Sequence, residues 1–195
     1  MRIALLRHGP TEWNAAGRIQ GHTDIPMSDA GLAKMSALRL PLDFARAYCS
    51  PLLRARQTAQ ALELSGITFD VRLMEQNWGI WEGLSLDGIR THHGKDAFLK
   101  AGERAAFRPS DGESTEELLT RIAAFLKDVA RGEGDAVAVT HTGVLRAAYT
   151  LATGWDMATP MPAKLDVSKI LLLTLDGNGA AKIETLNLDF TSRTD

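Results

Sequence analysis

LLRHGPTEWN, residues 5–14, decides how the rest of the chain reads. An apolar run from Arg2 to Leu6 ends abruptly in Arg7, His8 and Gly9. Read as a buried strand, the run delivers a guanidinium and an imidazole side by side at its C-terminal end. Gly9 then lets the backbone turn sharply or approach a ligand closely. Open α/β sheets bind their ligands at this end of the strands. A neutral imidazole can act as a nucleophile. A guanidinium offers a planar fork of donors to phosphate or carboxylate oxygens.

Working outward, the same device occurs a second time. Asp135 to Thr140 is a nearly continuous apolar run, as in a strand covered on both faces, and it ends in His141-Thr142-Gly143. A helix, Val144 to Tyr149, follows at once, so its free N–H groups favour an anion near His141. Between the two devices the chain alternates. Residues 9–31 read as a long loop rich in Gly, Pro, Asn and Asp, and ordered loops of that length tend to be functional. Ser28 is placed to cap a helix over Gly31–Leu38. Phe44–Cys49 reads as a second strand, with Ser50 as cap and Pro51 as first residue of a helix to Leu62. Phe69–Leu73 alternates like a half-exposed third strand. From Glu75 to Gly112 the pattern weakens around Trp78, Gly79, Trp81 and Gly83, and a lid or insert is predicted at about 76–112. Leu118, Leu119, Ile122, Phe125, Leu126 and Val129 mark an amphipathic helix. Ile170–Leu175 and Lys182–Leu188 read as a hairpin around Asp176–Gly179. The class predicted is α/β, with a mainly parallel sheet, an antiparallel element near the end and one domain over residues 1–195.

Composition removes several functions. The 195 residues carry a net charge of −2 and a pI of about 6.2, so nothing argues for a nucleic-acid or membrane partner. The one cysteine, Cys49, precludes an internal disulfide and reads as a small buried hydrophobe. There is no signal-peptide pattern and no apolar run of about 18 residues, so a cytoplasmic protein is expected. Oligomeric state is not readable, although an edge strand of the terminal hairpin leaves a homodimer open.

Three strand ends thus contribute Arg7, His8, Arg54, His141 and backbone donors to one positive pocket, whose natural occupant is a phosphate dianion. No metal is expected: neither histidine has a carboxylate within a few residues, and no His-x-x-x-His spacing occurs. G-x-S-x-G, the P-loop and G-x-G-x-x-G are also absent. Arg56, His22, His92 and His93 read as exposed residues, and Trp155 as core or subunit contact. Trp78 and Trp81 suit a pocket wall and lid packing equally.

LLRHGPTEWN, RIQGHTDIPMSDAG, SPLLRARQTA, EQNWGIWEGL and VTHTGVLRA, in this order, resemble the histidine phosphatases of the phosphoglycerate mutase-like superfamily over essentially the whole chain. The resemblance implies a three-layer α/β sandwich and two-step phosphoryl transfer without metal or cofactor. By position it implies His8 as the nucleophile and Arg7, Arg54 and His141 as the phosphate clamp. It implies Glu75 as general acid and base and Asn14 as a further polar contact. Gln20, Gly21 and Thr23 match a segment that lines the pocket, and Thr142, at the helix start, joins the substrate-binding set. Pro10 departs from the family, which often has Glu or Gln there. The span from Glu75 to His141 is shorter than in the cofactor-dependent phosphoglycerate mutases, which favours hydrolysis of a small-molecule phosphomonoester over mutase action. The rival readings are such a mutase and a non-catalytic phosphate-binding protein on the same fold.

Overall fold

Every residue from Ile3 to Leu6 is buried, and such a run needs cover on both faces of its sheet. The computed structural model, which describes residues 1–94, 108–156 and 159–193, provides that cover. Its strands are β1 (Arg2–Arg7), β2 (Leu38–Arg39), β3 (Arg46–Cys49), β4 (Ile67–Phe69), β5 (Ala136–Thr140), β6 (Ile170–Leu175), β7 (Ala181–Leu188) and β8 (Thr191–Ser192). The helices are α1 (Glu12–Ala15), α2 (Asp29–Ser36), α3 (Leu53–Ala61), α4 (Leu86–His93), α5 (Thr115–Ala130) and α6 (Thr142–Thr153). Six strands form one sheet in the order β4-β3-β5-β1-β6-β7. The first four are parallel, and β6 and β7 run antiparallel as the terminal hairpin.

Alternate β1 side chains enter two cores. Ile3 and Leu5 pack with Leu118, Ile122 and Phe125 of α5 and Val144, Leu145 and Ala148 of α6. Ala4 and Leu6 pack on the other face with Met35 of α2 and Ala55 and Ala59 of α3. The sheet is therefore the middle of three layers. Truncating the fully buried Phe125 to Ala would cost about 3–5 kcal/mol.

Register positions the chemistry. Arg7 lies opposite Thr140, and Cys49 opposite Val139. Each ladder continues by one bond, His8 N–H to Thr140 O at 2.9 Å and Ser50 N–H to Val139 O at 3.0 Å. His8, Ser50 and His141 thus leave the sheet at one level.

The predicted strands and helices occur in the predicted order, though not always in the predicted extent, and the small β2–β8 pair was not predicted. Leu38 has left the helix capped by Ser28 and pairs with Ser192 instead. The third strand stops at Phe69, because Asp70 turns the chain by accepting a bond from Arg72 N–H and capping a 3-10 turn over Val71–Leu73. Ser50 does not cap α3: Leu52 holds the cap position without a side-chain bond. Residues 95–107, part of the stretch expected to form a lid, lie outside the described residues.

Candidate active site

His8 is buried, with 6% exposure, and its Nδ1–H donates to Gly9 O at 2.7 Å. That bond leaves the Nε2 lone pair for chemistry. The His141 ring, fully buried, lies with its centroid 5.0 Å from that of His8 and tilted by 53°. His141 Nε2 is 2.8 Å from Ser50 Oγ, and its Nδ1 has no partner.

Arg54 is the second residue of α3 and fully buried. Its two terminal nitrogens donate to carbonyls of the residue 21–23 loop, Nη2 to Gly21 O at 2.7 Å and Nη1 to Thr23 O at 3.1 Å. Its Nε has no partner, nor has that of Arg7. Six buried polar side-chain atoms among the described residues lack a bond, and three belong here: Arg7 Nε, Arg54 Nε and His141 Nδ1. Orphaned buried donors cost about 1–3 kcal/mol each, so their concentration in one place signals a ligand. Two guanidiniums and an imidazole suit an oxyanion.

Glu75 sits against the start of α6. Its Oε1 accepts N–H bonds from Gln76 at 2.8 Å and Gly143 at 2.9 Å. A side chain on Gly143 would collide with that oxygen, its Cβ lying 2.3 Å from Oε1. Burial pushes the Glu75 carboxyl up and outweighs those two N–H groups and the charges of Arg54 and Arg7. Burial, together with Arg7 and Arg54, drives His8 well below the usual imidazole range, against the pull of Gly9 O. Burial also lowers His141, helped by His8, Arg54, Arg7 and Arg121. The site therefore holds neutral imidazoles beside a carboxyl biased toward its protonated form, the pairing that acid and nucleophilic roles require.

The remaining predicted residues divide. Gly21 and Thr23 offer their carbonyls to Arg54. Gln20 Nε2 bonds Thr11 Oγ1, which also bonds Asn14, so Asn14 and Gln20 form one chain through Thr11 and touch none of the site's charged groups directly. Thr142 is the half-buried first residue of α6. Arg56 is exposed as expected. His22 is exposed too, yet its ring Nε2–H donates to Glu75 O at 3.0 Å. His92 is exposed, while the side chain of His93 lies outside what is described. Trp78 and Trp81 stack at 6.1 Å in a small core with Ile89, which favours packing. Trp155 is half-buried against Tyr149.

Three residues escaped the sequence reading. Ser50 bonds His141. Glu82 holds the pocket loop, taking N–H bonds from His22 at 2.8 Å, Thr23 at 2.7 Å and Trp78 at 3.2 Å. Burial works against its charge, but these bonds and the Thr23 hydroxyl hold the Glu82 carboxyl below its usual range. Arg121 braces the backbone behind Glu75, donating to Glu75 O at 3.1 Å and to both oxygens of Glu113, at 2.6 and 2.8 Å.

Residues 3–189 match the description "Histidine phosphatase superfamily (branch 1)". The chain belongs to the histidine phosphatase superfamily. It is 30% identical over 167 residues to phosphoserine phosphatase 1 of Hydrogenobacter thermophilus, covering 81% of this chain and 79% of that one. A 6-phosphofructo-2-kinase/fructose-2,6-bisphosphatase of Caenorhabditis elegans is 35% identical over 74% of this chain, which spans only 32% of that longer protein. Among solved structures, a mycobacterial glucosyl-3-phosphoglycerate phosphatase in complex with VO3 superposes with a TM-score of 0.82 at 25% identity, over 96% of this chain and 99% of that one. This histidine phosphatase is thus an enzyme of the phosphatase kind. Among its described residues no three His, Cys, Asp or Glu side chains gather as a metal would require. Among them, too, no helix is long and apolar enough to cross a membrane.

Proposed function

We propose that the chain hydrolyses a small phosphomonoester through a phosphohistidine at His8, without a metal and in the cytoplasm. The observation that carries this reading is the set of orphaned donors, Arg7 Nε, Arg54 Nε and His141 Nδ1, around a histidine whose Nε2 lone pair is free. In the first step Arg7, Arg54 and His141 hold the phosphoryl oxygens, and His8 Nε2 attacks phosphorus. The bond to the ester oxygen breaks, and the Glu75 carboxyl gives that oxygen its proton. The alcohol leaves, with the phosphoryl group on His8 and Glu75 ionised. In the second step Glu75 takes a proton from water, the resulting hydroxide attacks phosphorus, and the P–N bond breaks. Inorganic phosphate leaves, and both residues return to their starting states. Glu75 Oε1 takes the two shorter amide bonds, from Gln76 at 2.8 Å and Gly143 at 2.9 Å, and Oε2 only the longer contact from Gly143 at 3.2 Å, so Oε2 is the oxygen assigned to proton transfer. Positioning and charge stabilisation are what phosphoryl transfer chiefly asks of a protein. Gln20, Gly21, Thr23, Asn14 and Thr142 would border the leaving group.

The test is hydrolysis of p-nitrophenyl phosphate in EDTA by the wild type and His8→Ala. Activity that survives EDTA and disappears in the variant is expected; loss of activity in EDTA would overturn the metal-free reading. Phosphoserine and glucosyl-3-phosphoglycerate head the substrate panel, because relatives carry those names. Conversion of 3- to 2-phosphoglycerate without net hydrolysis would instead mark a mutase, and tight phosphate binding without turnover a binding protein.

A further inference from the structure

Ser50 follows β3 directly and is wholly buried. The helix it was expected to cap begins only at Leu53, and the sole helix-side bond to its hydroxyl is a long one, 3.3 Å from Leu52 N–H. Its short contact is His141 Nε2 at 2.8 Å, from a residue 91 positions away. The proton in that contact can belong to either side. If His141 donated through Nε2–H, the Ser50 hydroxyl proton would have no acceptor among the described residues. Nδ1 would then be a bare lone pair in a pocket built for an anion. If Ser50 donates, its proton is used, its oxygen still accepts from Leu52 N–H, and Nδ1 carries the one proton of a neutral ring. With an oxyanion in the pocket, only the second arrangement uses every buried donor and keeps a lone pair from facing the bound oxygen.

We propose that Ser50 is a positioning residue that fixes His141 as the Nδ1–H tautomer, so that His141 donates a hydrogen bond to the transferring phosphoryl group. The tautomer rests on the Ser50–His141 contact together with an anion in the pocket; its use in catalysis rests on the phosphohistidine reading above. Without the serine proton, the ring is free to carry its hydrogen on Nε2 and turn a lone pair toward the phosphate. A partner that sets which nitrogen of an imidazole is protonated governs what the ring can do.

The experiment uses the full chain labelled with 15N-histidine. A long-range 1H–15N correlation spectrum at neutral pH reports which ring nitrogen of His141 bears the proton, with His141→Asn supplying the assignment. The wild type is expected to show Nδ1–H, and inorganic phosphate should perturb that resonance. Ser50→Ala should move the proton to Nε2 and lower kcat on p-nitrophenyl phosphate by about 10- to 100-fold, with a smaller change in KM. Ser50→Thr, which keeps the hydroxyl, should restore the Nδ1–H form and most of kcat. A wild-type His141 protonated on Nε2 would overturn the proposal even if no variant folds. So would a Ser50→Ala enzyme whose kcat stays within about twofold of wild type. Failure of the phosphohistidine reading shows itself separately, as activity remaining in His8→Ala.

Discussion

β1 and β5 end in the same device, a buried strand that runs into histidine with glycine close behind, yet the two histidines are prepared for opposite tasks. His8 spends its Nδ1 proton on its own neighbour, Gly9 O, and keeps a lone pair free. His141 engages through Nε2 with Ser50, from another strand, and keeps Nδ1 unpaired. One ring is left as a nucleophile and the other as a donor. The two differ in the partner that each ring meets, and those partners come from different ranges of the chain. The glycines differ in the same way. A Cβ on Gly9 would meet Met27 Sδ at 2.5 Å and Met35 Cγ at 2.6 Å, in the core. A Cβ on Gly143 would meet the Glu75 carboxyl.

The sharpest way to break this comparison is to delete each ring. His8→Ala should lose on the order of 10^4-fold or more in kcat, because no phosphoenzyme can form. His141→Ala should lose about 10^2- to 10^3-fold, the cost of one donor to developing charge. Equal losses, measured by steady-state kinetics on p-nitrophenyl phosphate, would abolish the distinction. Next comes the acid. Glu75→Gln should cost about 10^2- to 10^4-fold on an alkyl phosphate. It should cost much less in the first turnover of p-nitrophenyl phosphate, whose leaving group needs no proton. Stopped-flow traces for the two substrates separate these cases, and equal first-turnover losses would count against Glu75 as the acid.

The glycines sharpen the contrast at a smaller scale. Gly9→Ala overpacks two buried methionines and should destabilise by about 1–3 kcal/mol, read as a denaturation midpoint. Gly143→Ala pushes aside one carboxylate tip, so it should lower kcat by about 10-fold or more with little change in that midpoint. The smallest effect is on stability against pH. Both imidazoles are depressed in the folded state, so the unfolded chain binds more protons as pH falls. Their contribution is present above an unfolded value of about 6.5 and is lost as pH drops toward the folded values. Glu75, raised in the folded state, acts with the other sign: its contribution is present below about 4.5 and is lost as pH rises through its folded value. Melting temperatures should therefore fall between about pH 7 and pH 5, less steeply in His8→Ala than in the wild type. Parallel slopes would show that His8 is not held neutral by the fold.

Much of the site was legible because it is written locally. Arg7, His8, Arg54 and His141 sit at strand ends or helix starts that hydrophobic pattern alone marks, and the structure brings them together. The brace behind them was not legible. Glu82 holds residues 59 and 60 positions away, and Ser50 reaches 91. Such partners depend on register across the sheet, which no local pattern encodes. Ser50 was misassigned for a related reason. Ser-Pro before a helix is a good capping signal, but register with β5 carries Ser50 to the level of Thr140, where its hydroxyl reaches the ring of the next residue, His141, and Leu52 takes the cap position instead. The third strand, predicted over Phe69–Leu73, lies at Ile67–Phe69: alternation continues through Val71–Leu73, but the Asp70 side chain has already turned the backbone there.

The most direct measurement is to quench the enzyme during turnover of a 32P-labelled phosphomonoester in EDTA and map the label on the denatured chain. Acid-labile, base-stable phosphate on the peptide that carries His8, absent from His8→Ala, is the expected result. Full turnover with no label on His8, or label that persists in the variant, would contradict the phosphohistidine mechanism.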